Sequence, residues 1–90
     1  MTFRINRHAS GDKVVLRLIG NMHIEDIEEV KTAVDESSQV VLDIGELTLV
    51  GVEGIRFLNA CKAVGMGVIN ASPYISEWML LERDRWPDRG

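Results

Sequence analysis

Residues 40–58, Val40-Val41-Leu42-Asp43-Ile44-Gly45-Glu46-Leu47-Thr48-Leu49-Val50-Gly51-Val52-Glu53-Gly54-Ile55-Arg56-Phe57-Leu58, leave the rest of the chain few ways to fold. The apolar run Val40 to Ile44, interrupted by Asp43, is too short for a helix. Its β-branched valine pair suits pleated backbone, so residues 39–44 read as a buried central strand. An apolar loop with glycines at Gly51 and Gly54 follows, and a helix begins between Gly51 and Glu53. A strand that feeds a helix in this way sets backbone N–H groups at the carboxyl edge of a sheet, where binding surfaces form. Any functional site is expected there.

Upstream, Thr2-Phe3-Arg4-Ile5-Asn6-Arg7 alternates polar and apolar residues as a half-exposed strand does. Ala9-Ser10-Gly11-Asp12 supplies turn residues, and Lys13 to Ile19 forms the second arm of a hairpin. In that arm Val14, Leu16 and Leu18 share one face, and Val15, Arg17 and Ile19 the other. Gly20 is expected to end this strand. From His23 the apolar period lengthens, and Ile24, Ile27, Val30 and Val34 fall on one helical stripe, with Met22 ahead of the cap placed to staple onto Ile27. The acids Glu25, Asp26, Glu28 and Glu29 suit the positive end of a helix macrodipole. A solvated helix face is the leading reading of these acids, and a recognition surface for a basic partner the second.

Downstream, the helix from Gly51 is expected to bury Ile55, Leu58 and Cys61, flanked by Phe57, Ala60 and Val64, and to turn Arg56, Asn59, Lys62 and Ala63 outward. Gly65 occupies a C-cap position, and Met66 to Asn70 forms a short fourth strand. Ser72-Pro73 is a cap followed by a first-turn proline. It opens a last helix, Tyr74 to Arg83, with Ile75, Trp78, Met79 and Glu82 along one side. Residues 84–90 are expected to fray as a tail in which Trp86 exposes its indole. The pattern predicts a single α/β domain over residues 1–83: a mixed four-stranded sheet in the order β-β-α-β-α-β-α, with helices mainly on one face.

A chain of 90 residues buries about 60% or somewhat more of its unfolded surface, enough for one core. Its net charge of −4, with basic residues scattered, argues against nucleic acid. The absence of an apolar run of about 18 residues argues against a membrane span, and the amino-terminal residues lack a signal peptide's apolar core, so a cytoplasmic location is expected. Cys61 has no second cysteine to pair with. No phosphate-binding GxxxxGK[ST] or GxGxxG pattern occurs, nor CxxC or HxxxH ligand spacing. His8 and His23 have no sequence-local acid placed to orient them. No catalytic residue, metal or cofactor is therefore expected, although distant residues can still assemble a catalytic group.

The stretch from Val41 to Val50, leading through Gly51-Val52-Glu53-Gly54-Ile55 into a helix, resembles the STAS domain of anti-sigma factor antagonists, a family of bacterial signalling and transcription regulation. The resemblance runs from Phe3 to about Arg83 and centres on this stretch. In the family, an apolar strand ending in Asp is followed by a loop and by Asp-Ser-Ser-Gly or Asp-Ser-Thr-Gly at the helix start. A partner kinase that is also the anti-sigma factor phosphorylates the hydroxyl residue before the glycine. Asp43 matches the strand-ending acid and Gly54 the glycine, whereas Gly51 stands for the Asp, Val52 for the first Ser and Glu53 for the phosphoacceptor. The resemblance implies a non-enzymatic module whose partner is a protein, an anti-sigma factor or serine kinase-like regulator. It also implies that this module is not switched by phosphorylation at residue 53. A phosphoserine would bring about −1.5 to −2 charge; Glu53 brings one fixed unit of the same sign. The expected docking residues are Leu49, Gly51, Val52, Glu53, Gly54, Arg56 and Asn59, and edge-strand or exposed-face contacts would allow a homodimer. A STAS-like sensor of a nucleotide or other small ligand is the alternative, and a small enzyme of another type the third reading.

Overall fold

The computed structural model of the chain describes residues 2–37 and 39–85. Its elements are β1 (Phe3–Ser10), β2 (Lys13–Met22), α1 (Ile24–Asp35), β3 (Val40–Val50), α2 (Val52–Ala63), β4 (Gly67–Ile69) and α3 (Pro73–Arg85). The four strands form one sheet in the order β1-β2-β3-β4. β1 runs antiparallel to β2, while β2, β3 and β4 are mutually parallel. The architecture is the mixed α/β sheet that the sequence pattern predicts.

Strand alternation decides what is buried. Leu16, Leu18, Leu42 and Ile44 point to one face and are almost fully covered, where they meet Val30 of α1, Ile55 and Leu58 of α2 and Ile75 of α3. Burying a Leu or Ile side chain stabilises the fold by roughly 1.5–3 kcal/mol, so this layer supplies most of the driving force. The opposite face carries Arg17, Asp43, Glu46 and Thr48. Trp78 is half-buried against the core, its ring 5.8 Å from that of exposed Tyr74.

Several boundaries differ from the sequence reading. β3 does not stop at Ile44 but continues to Val50, and β2 does not stop at Gly20 but continues to Met22. Two register shifts make this extension work: Arg17 pairs with Asp43 and Ile19 with Glu46, then Gly20 pairs with Leu47 and Asn21 with Leu49. Each shift inserts an extra residue into β3, as a β-bulge does. At the first bulge the Gly45 amide donates to Asp43 Oδ1 (3.0 Å), which also accepts from Asn70 Nδ2 (3.2 Å). At the second, the hydroxyl of the inserted Thr48 donates to Asn21 Oδ1 (2.8 Å). Asp43, the strand-ending acid of the resemblance, is thus a mid-strand residue that secures a bulge, with Arg17 Nε 3.7 Å from its other oxygen.

α2 ends in a Schellman arrangement: the Gly65 amide donates to the Lys62 carbonyl and the Met66 amide to the Cys61 carbonyl, both at 3.0 Å, with Gly65 at φ +92°. The helix stops at Ala63, which leaves Val64 78% exposed, and Ala60 also faces solvent rather than flanking the buried side. Ser72 caps α3 as expected, accepting from the Ile75 amide (3.3 Å). That helix runs on to Arg85, so residues 84 and 85 extend it. The expectation for Trp86 lies outside the described residues.

Candidate functional site

β2 and β3 end side by side, with Met22 in register with Val50. A single extended residue follows each strand, His23 (φ −99°, ψ 172°) and Gly51 (φ −87°, ψ 178°), and α1 and α2 begin immediately afterwards. Two helix N-termini therefore emerge together at the carboxyl edge of the sheet. Their terminal amides carry partial positive charge. At α1 that charge is met internally: the His23 amide donates to Asp26 Oδ2 (2.9 Å), and His23 Nδ1 lies 3.6 Å from the same oxygen. His23 does have an acidic neighbour, contrary to the sequence reading, and the pair serves as a helix cap.

α2 carries no side-chain cap at Gly51. Its first-turn acid, Glu53, points outward with its side chain 53% exposed, and Arg56 one turn later approaches it, Nη1 to Oε2 3.8 Å. Three apolar residues of the same junction, at the end of β3 and the starts of α1 and α2, are exposed. Ile24 is 63% exposed, Leu49 56% and Val52 36%, above buried Met22 and Val50. Ile24 and Glu53 also line one groove between α1 and α2, of about 410 Å³, with Ile27 and Phe57 beneath and Glu28, Lys31 and Arg56 at its sides.

The structure brings most of the expected docking residues together. Leu49 lies in β3, one residue before its end, rather than in a loop, because the expected loop from Leu49 to Gly54 contracts to Gly51 alone. Val52, Glu53 and Gly54 form the first turn of α2, and Gly54 is buried. Asn59 stands apart from them. Its Nδ2 donates to the Met79 carbonyl (2.9 Å), so it ties α2 to α3 instead of facing outward. Such a hydrogen bond contributes about 1 kcal/mol net. Asn59→Ala is therefore expected to lower the melting temperature by roughly 4–8 °C, measured by circular dichroism, while leaving the exposed groups around Glu53 in place.

Two contributors escaped the sequence reading. Ile24 continues the apolar stripe of α1 but, as the first helical residue, is 63% exposed. Glu82 shares the side of α3 that carries Ile75 and Met79 and is buried there, with Arg56 Nε 3.5 Å from Glu82 Oε1, a partner the sequence does not announce. Cys61 is buried on the inner side of α2, and that burial pushes its thiol pKa up, with the charge of Lys31 pulling the other way. A protonated, enclosed thiol is a poor nucleophile. Among the described residues, no group of three or more His, Cys, Asp or Glu side chains is placed to hold a metal ion, and no helix is long and apolar enough to cross a membrane.

No protein-family model matches this chain, and no curated protein matches it.

Proposed function

We propose that this chain is a non-enzymatic, cytoplasmic docking module of the STAS type, which binds a protein regulator through the start of α2. The observation that supports this reading is the junction at the carboxyl edge of the parallel strands, where the solvent-facing Glu53 carboxylate shares a groove with exposed Ile24, and Leu49 at the end of β3 and Val52 at the start of α2 are exposed as well. Isolated apolar residues on a surface need no explanation, whereas apolar side chains gathered at one junction beside a charge fit an interface with a polar anchor. Partners of the kind implied by the resemblance are anti-sigma factors or serine kinase-like regulators. With Glu53 where relatives carry a phosphorylatable hydroxyl, the module keeps its negative charge permanently and stays in one signalling state.

Calorimetry against such a regulator tests the reading with wild type, Glu53→Ser and Glu53→Lys. Reversing the charge at an interface centre is expected to weaken binding at least tenfold, about 1.4 kcal/mol, with Glu53→Ser intermediate. Equal affinity for all three proteins would show that residue 53 is not the contact.

A further inference from the structure

α1, α2 and α3 bury their residues on one face of the sheet, in the core with Leu16, Leu18, Leu42 and Ile44. The other face carries the alternate residues of each strand. Val15 and Val41 pair across β2 and β3 there, with Ile19 further along β2 and Ile69 on β4. None of these four packs against the core: Val15, Ile19 and Val41 are part-exposed, and Ile69 is 43% exposed. Away from the hairpin turn, the charged residues of this face are divided by strand. Arg4 on β1 and Arg17 on β2 are cations, whereas Asp43 and Glu46 on β3 are carboxylates. Arg17 stands 3.7 Å from Asp43 and 3.9 Å from Glu46, so one guanidinium serves two acids and the β3 side keeps a negative charge in excess. Arg4 is exposed and forms no ion pair with another described residue, which leaves a positive charge in excess at β1. These charges cancel over the face as a whole, in a chain whose net charge is −4.

Charge decides how two such faces can meet. A two-fold axis in the plane of contact and running across the strands would set β1 on β1 and β3 on β3, like charge over like. An axis parallel to the strands, between β2 and β3, sets β1 and β2 of one copy over β4 and β3 of the other. Cations then face carboxylates on both sides of the axis, and Val15 of each copy meets Val41 of the other. Arg4 and Glu46 lie in one row, both in register with Ile19. Across the axis they stand one strand spacing apart, about 4.8 Å, within reach of two long side chains. The strands, of 8, 10, 11 and 3 residues, rise about 3.3 Å per residue, so the face covers roughly 500 Å². Two of them bury about 1,000 Å², the size at which specific association begins. We propose that the helix-free face of the sheet joins two copies of this chain face to face, about a two-fold axis parallel to the strands. The docking residues at the start of α2 lie at the sheet's carboxyl edge, outside this contact, so neither proposal depends on the other.

Sedimentation equilibrium of the full chain tests the dimer. Wild type is expected to pass from monomer to dimer between about 10 and 500 µM, in keeping with an interface of minimal size, and to dissociate more readily as salt rises. Arg4→Glu, at an exposed position, is expected to weaken the dimer by at least about tenfold. Adding Glu46→Lys to the same chain is expected to bring it back to within about threefold of wild type, because the two exchanged charges meet across the axis. Val15→Lys, on an inner strand, is expected to abolish it. Should Val15→Lys not fold, Ile69→Lys makes the same test from an exposed position. A monomer at every concentration overturns the proposal. So does a dimer that survives the lysine substitution, which would place the contact at the β1 edge or on a helix, and so does failure of Glu46→Lys to rescue Arg4→Glu.

Discussion

Gly20→Ala is expected to destabilise the protein by about 3 kcal/mol, lowering its melting temperature by roughly 12–24 °C. Gly20 lies within β2 at φ +95°, paired with Phe3 of the edge strand β1. Two costs add at this position. A residue with a Cβ is strained by about 1–2 kcal/mol in left-handed backbone. The new methyl group would also meet the Thr2 carbonyl oxygen, a backbone atom that cannot swing aside as a side chain could. Relief requires β1 to separate from β2 at its first residues, which uncovers Phe3, a half-buried residue packed against the core. Gly11→Ala provides the control: its φ is +61°, but its Cβ would meet nothing within 4 Å, so strain acts there alone. Denaturant titration separates the two variants. If Gly20→Ala costs no more than Gly11→Ala, the close approach of β1 is not a constraint on the fold.

The same pair of strands explains what could and could not be read from the sequence. Element order, sheet class and the three helices were legible because each rests on local signals: alternation in β1 and β2, the stripe through Ile27 and Val30, the Ser72-Pro73 start and the Gly65 stop. The far half of β3 was not. Its inward residues are Leu42, Ile44, Leu47 and Val50, a spacing of two, then three, then three. Each bulge inserts one residue and moves the alternation by one place, so the period of two disappears at Gly45 and the rest reads as loop. Asp43 and Gly45 carry the only local sign, an acid placed to accept the amide two residues on.

The site was legible to a similar degree and for related reasons. Glu53 and Val52 were identified because a strand-to-helix junction marks its own position in the chain. Ile24 was not, because helical periodicity states which side of a helix a residue faces but not where the neighbouring sheet ends. Asn59 was misplaced in the opposite sense. An outward polar residue on α2 becomes an inward one when a third helix packs there, and the α2–α3 contact joins residues 20 positions apart in the chain. The Arg56–Glu82 pair is hidden by the same long-range contact.

Gly54→Val is expected to cost about 3 kcal/mol and to disorganise the docking surface as well. Gly54 is a helical residue in the first turn of α2, where glycine is intrinsically about 1 kcal/mol worse than alanine. Space explains its presence. A Cβ at this position would meet Val50 Cγ2 and lie 3.0 Å from Met22 Cε, at the two strand ends on which both helix starts rest. Alanine gains helix propensity and loses to overpacking of about 1–3 kcal/mol, so Gly54→Ala is expected to fall within about 2 kcal/mol of wild type. Valine adds two γ-carbons to the same gap and is a weaker helix former than alanine, which removes the offset. The strain has one efficient outlet: α2 lifts from the end of β3 and takes Val52 and Glu53 with it. Partner affinity is therefore expected to fall in Gly54→Val along with stability, although no contacting side chain has been changed. Val50→Ala in the same protein should recover at least 1 kcal/mol relative to the sum of the single substitutions, because it vacates the volume the valine needs. Strict additivity of the two would place the cause elsewhere than in the contact between Gly54 and Val50.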